Sequence, residues 1–62
     1  VNIIRNGQPA VVADGSTVAD LVRGRRGIAV ALNGEVVPRD RHPATALHEG
    51  DVVEVVTAVQ GG

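Results

Sequence analysis

The sequence closes on Val59-Gln60-Gly61-Gly62, which follow an apolar stretch directly and end at a glycine carboxylate. Two glycines without a Cβ add nothing to packing, but they leave a backbone narrow and flexible enough to thread into another protein's active site. The α-carboxyl beyond them, with an ordinary pKa of about 3.3–3.7, is ionised at neutral pH and can attack the α-phosphate of ATP. Gly62 is therefore the candidate reacting residue and Gly61 its flexible approach; the plain alternative is a frayed chain end. The other polar residues offer less. His42 and His48 have no cysteine or third histidine beside them, and their spacing fits no common zinc pair, so both read as surface histidines and no metal site is expected. Asp14, Asp20, Glu49 and Asp51 sit beside turn or cap positions, where local backbone hydrogen bonding accounts for them without an acid–base pair. Arg39, Asp40 and Arg41 read as a solvated loop, with steering of a charged partner as the alternative.

Composition narrows the chemistry further. A chain of 62 residues makes one small domain, expected over residues 1–60 with 61–62 as a flexible tail. It buries only roughly 60% of the surface its unfolded form exposes, and without cysteine no disulfide or thiolate-bound metal supplements the core. Phe, Trp, Tyr and Met are absent, which removes base-stacking platforms and the usual anchors of a ligand pocket. Six arginines against seven acidic residues give a net charge of −1, so the field that drives binding to nucleic acid or to a membrane surface is missing. No apolar run approaches the ~20 residues of a membrane span, and residues 1–5 have no leader character, so a soluble cytoplasmic protein is expected. Lysine is absent too, so the chain cannot accept an isopeptide-linked copy of itself.

The elements that must position the tail follow from punctuation and periodicity. Thirteen valines tilt the chain towards strands. Asn6-Gly7 suits a type I′ hairpin turn between residues 1–5 and a returning strand over 8–13, and Pro9 places that second strand at a sheet edge. Thr17-Val18-Ala19-Asp20 matches a helix-capping pattern. Val18, Leu21 and Val22 then line one face of a helix of about two turns, with Gly24 and Gly27 as stop signals and Arg23, Arg25 and Arg26 near its negative end. Ile28 to Leu32 reads as a buried strand turning at Asn33-Gly34 into Glu35-Val36-Val37. Residues 39–50 show no sustained period and read as an irregular surface connection anchored by Leu47. Residues 51–59 form the last strand, with Val53, Val55 and Thr57 on one face and Val52, Glu54 and Val56 on the other. One helix can cover only one face of such a sheet, which makes an α+β domain.

The combination of Asn6-Gly7, Gly15-Ser16-Thr17-Val18, Asn33-Gly34-Glu35-Val36-Val37-Pro38-Arg39, Leu47-His48-Glu49-Gly50-Asp51 and the terminal Gly61-Gly62 resembles the ThiS family of bacterial sulfur carriers in thiamin biosynthesis, along essentially the whole chain. The resemblance implies a ubiquitin-like β-grasp fold: a mixed sheet of four to five strands with one short helix on one face. It also implies that the protein is a co-substrate and not an enzyme. A ThiF-type adenylyltransferase would activate Gly62 with ATP, and sulfur originating from cysteine, through a cysteine desulfurase, would convert the adenylate to a thiocarboxylate. The thiazole synthase ThiG would then consume that sulfur; no permanently bound cofactor is implied. Val56, Ala58 and Gln60 near the tail are the docking candidates, with ordinary exposed surface, or core in a shifted register, as the alternative for Val56 and Ala58; Val36 and Val37 carry the same alternatives. A carrier for molybdopterin or cysteine synthesis, a non-covalent interaction module and a protein-conjugating modifier are the alternatives.

Overall fold

A computed structural model describes residues 1–23 and 27–57. Strands β1 (Asn2–Arg5) and β2 (Gln8–Val11) form the first hairpin, and a single helical turn, α1 (Val18–Leu21), follows. Strands β3 (Ile28–Leu32) and β4 (Glu35–Val37) form the second hairpin. A 3₁₀ helix (Arg39–Ala44) then leads to β5 (Val52–Thr57). The sheet order is β2-β1-β5-β3-β4. β1 runs parallel to β5 and every other pair is antiparallel, so the last strand lies at the centre between the two hairpins.

Local sequence explains most of this. Asn6 and Gly7 have φ of 52° and 80°, and Asn33 and Gly34 have 50° and 89°, the positive pairs that a type I′ turn requires. Pro9 lies in β2 at the sheet edge, where its missing N–H is tolerated. Asp20 caps α1 by accepting the Thr17 N–H at 2.8 Å and the Thr17 hydroxyl at 3.3 Å. These bonds hold its carboxyl below the usual range, and Arg23 at 3.0 Å lowers it further.

Alternation sends Ile3, Val30, Val53 and Val55 to one face, where they join Val18, Val22 and Leu47 in the hydrophobic core. Leu47 is held by an isolated bridge that pairs the 16–18 and 45–47 segments: the Val18 N–H donates to the Thr45 carbonyl and the Leu47 N–H to the Ser16 carbonyl, each at 2.9 Å. Leu47 is thus the apolar anchor expected of its segment, and the inward placement of Val53 and Val55 agrees with the strand pattern.

Three expectations need correction. The helix is one turn, not two: Val22, with φ of −118°, has left helical geometry, its N–H reaching only the Ala19 carbonyl at 3.2 Å. Gly24, Arg25 and Arg26, read as stop and dipole signals, lie outside the described residues. Residues 39–44 are a 3₁₀ helix and not irregular chain, started after Pro38 by the Arg41 N–H on the Pro38 carbonyl at 2.9 Å. His42 is buried, at 6% exposure, because this helix turns its ring inward to place Nε2 3.1 Å from the Val37 carbonyl oxygen.

Candidate functional site

β5 carries the chain towards Gly61 and Gly62, so its fixing in the sheet decides where the tail is launched. It is gripped from both sides. On the β3 side, the register runs from Leu32↔Val53 to Ile28↔Thr57. On the β1 side, the ladder is shorter, because β1 ends at Arg5 and turns away into the first hairpin. Asn6 fills the gap with its side chain. Its backbone N–H donates to the Val53 carbonyl at 2.9 Å, while its side-chain Oδ1 accepts the Val55 N–H at 2.8 Å and its Nδ2 donates to the Val55 carbonyl at 3.1 Å. The amide therefore acts as one more residue of ladder along β5. Asn33, in the other hairpin turn, does the same at the start of the strand: Oδ1 accepts the Val52 N–H at 2.9 Å and Nδ2 reaches Asp51 Oδ1 at 3.1 Å.

These contacts were not legible beforehand. Asparagine is an ordinary choice for the first position of a type I′ turn, so nothing in the sequence distinguishes a turn asparagine that also docks on a third strand. The start of β5 is tied to β1 as well, since Glu49 accepts the Asn2 backbone N–H at 2.9 Å and the Asn2 Nδ2 at 3.0 Å. Both bonds lower the Glu49 pKa, the backbone bond most. Its partner is thus the far end of the chain and not the local turn expected. Asp51 does bond locally, accepting the His48 N–H at 2.7 Å.

The sheet face opposite the core is open. Val56 lies on it at 57% exposure, with Val52 at 45% and Val36 at 76%, and Ile4, Ala29 and Ala31 share it by register and alternation. Val56 is thus exposed on the outward face that strand alternation assigned to it, and Val36 lies on the same face; Val37, opposite Val30 in the register, belongs to the core side. Ala58, Gln60, Gly61 and Gly62 lie outside the described residues. The exposed aliphatics Ile4, Val36, Val52 and Val56 gather on this one face around Glu54, and such a grouping marks an interaction surface more than scattered apolar residues do.

The core side of the fold offers little for chemistry. A cleft of about 640 Å³ between α1 and the 3₁₀ helix is lined by Val22, Ile28, Arg39, His42 and Pro43 among others. Among the described residues its lining has no carboxylate or nucleophile beside the histidine, whose Nε2 is already engaged. His48 is exposed, 3.9 Å from Asp51, and among the described residues no group of three or more His, Asp or Glu gathers as a metal site would need. Nor is any described helix long and apolar enough to cross a membrane.

A five-stranded mixed sheet with one short helix packed on one face, and a central last strand running towards a Gly-Gly end, defines the β-grasp, ubiquitin-like class. The chain belongs to the ThiS family, whose model matches residues 2–62. It is similar to a crystal structure of thiamine biosynthesis protein ThiS from Geobacter metallireducens, with 35% identity, a TM-score of 0.83 and full coverage of both chains. It is also similar to a solution NMR structure of a thiamine biosynthesis protein from the same organism, with 33% identity and a TM-score of 0.80, covering 100% of this chain and 88% of that one. No curated protein sequence gives a significant match.

Proposed function

We propose that this protein is a cytoplasmic sulfur carrier in the thiazole branch of thiamin biosynthesis, and that the carboxylate of Gly62 is the group that carries the sulfur. The observation that supports this most is the family match, which runs through Gly61 and Gly62 and not over the folded part alone. In this reading a ThiF-type adenylyltransferase docks on the open sheet face around Val56, and Gly61 and Gly62 enter its active site. A Gly62 carboxylate oxygen attacks the α-phosphorus of ATP and pyrophosphate leaves. A persulfide formed through a cysteine desulfurase then attacks the acyl carbon and expels AMP. A thiol of the partner machinery attacks the outer sulfur of the resulting acyl disulfide, forming a disulfide and releasing the thiocarboxylate that thiazole synthase consumes. The carrier supplies the reactive end and the docking surface, and its partners supply the catalytic groups; ATP is the partner's substrate and not a resident cofactor.

The division of labour agrees with the fold. β5 is hydrogen-bonded on both sides, to β1 and β3, and gives the tail a fixed root. Adenylation is tested by pyrophosphate release with a ThiF-type enzyme and ATP. Release should depend on this chain and vanish when Gly62 is deleted; release that persists without Gly62 would sink the proposal.

A further inference from the structure

Among the described residues of the open apolar face stands one charge. Glu54 lies on the central strand, between Val52 and Val56 along β5 and opposite Ala31 on β3, with Val36 beyond it on β4. It is exposed, and among the described residues no ion pair engages it. Arg5 does not approach it on this face, since Arg5 is the register partner of Val53 and alternation turns both away. Among the described residues the face therefore presents a carboxylate without an ion pair, surrounded by Ile4, Ala29, Ala31, Val36, Val52 and Val56.

Such an arrangement discriminates between occupants. A second copy packed face to face about a twofold axis would bring the two Glu54 side chains together in the middle of a desolvated interface. Burying two like charges without partners is strongly unfavourable. A plain apolar surface would also strand the carboxylate. A surface that brings one arginine or lysine to Glu54 within an apolar ring satisfies both features at once, and charge complementarity of this kind gives specificity as well as a faster encounter.

We propose that Glu54 determines specificity on this face: it selects a different protein that presents a basic residue within an apolar patch, and it keeps the carrier from pairing with itself. This rests on the carrier reading for the identity of the partner but not for the self-pairing half.

The test uses the full chain and a ThiF-type adenylyltransferase that activates it. Glu54→Gln should raise the KM for the carrier about tenfold, the effect of losing roughly 1.4 kcal/mol of charge pairing, and Glu54→Lys should raise it further. In both variants kcat should be unchanged and the salt dependence of kcat/KM flatter, which a merely structural role would not produce. In sedimentation equilibrium the unaltered chain should be monomeric and Glu54→Val should self-associate. Unchanged KM in both Glu54→Gln and Glu54→Lys overturns the partner half. A wild-type dimer through this face, or a monomeric Glu54→Val, overturns the other. If the unaltered chain is never adenylated, the carrier reading has failed, and sedimentation alone decides the role of Glu54.

Discussion

Asn6 carries three roles on one side chain and backbone: it adopts a positive φ, it closes a hairpin, and its amide replaces a missing strand residue beside Val55. The last role is the costly one to lose, because Val55 is nearly buried and its N–H and C=O would be left without these partners. Asn6→Gly keeps the turn and removes only the amide, so it should destabilise the fold by about 1–3 kcal/mol. Asn6→Ala should lose more, since alanine pays roughly 1–2 kcal/mol for the left-handed conformation. The two variants are compared by urea denaturation, and equal stability of wild type and Asn6→Gly would show that the bridge to β5 contributes nothing. Glu49 acts at the same scale. Its pKa is lowered by the folded state, so the unfolded chain binds more protons as acid is added; the stabilisation is present above the ordinary carboxylate range and is lost as pH falls through the lowered value. Glu49→Gln should therefore flatten the rise of stability with pH across the acid limb, with Asp20 supplying what slope remains. A series of denaturation midpoints against pH measures this, and an unchanged slope would contradict it.

At the scale of elements, the helical side of the domain is thin. One turn of α-helix and a short 3₁₀ helix cover the sheet, and neither is long enough to be stable by itself. What holds them is the bridge between the 16–18 and 45–47 segments and the burial of Leu47 beneath it. Leu47→Ala should therefore cost about 2–5 kcal/mol, a large part of the stability of so small a domain, seen as a lower urea midpoint at unchanged slope. A shift below 1 kcal/mol would mean that the helical layer does not depend on this anchor. Elements also differ in how far they could be read in advance. Both hairpins were legible because Asn-Gly punctuates valine-rich runs, and the facing of Val53 and Val55 followed from alternation. The 3₁₀ helix over 39–44 was not legible, since side chains that eclipse every third residue leave no helical stripe, and Pro43 reads as a breaker. The burial of His42 was hidden for the same reason: its partner is a backbone carbonyl, at Val37, and no side-chain type signals that.

At the scale of the whole molecule, the two faces of the sheet have separate tasks. One is covered by α1, the 3₁₀ helix and Leu47 and supplies stability; the other is left apolar and open around Glu54, the side on which docking is proposed. The central strand between them, β5, is the last described strand, and in the proposed function it joins docking on the open face to delivery of the C-terminal glycines. The proposed reactive end, Gly61 and Gly62, was legible in the sequence, as was the outward facing of one member of the open face, Val56. The breadth of that face was not legible, because Val36 and Ile4 join Val56 only through the order β1-β5-β3-β4, a non-local pairing that no short pattern encodes. The central claim is the chemistry at Gly62, and intact mass tests it most directly. After incubation with a ThiF-type adenylyltransferase, ATP and sulfide, the folded chain should gain the mass of one oxygen replaced by sulfur, and a chain lacking Gly62 should not. A mass that never changes with an enzyme competent on its own carrier would contradict the account, and would leave a protein that binds through its open face without carrying sulfur.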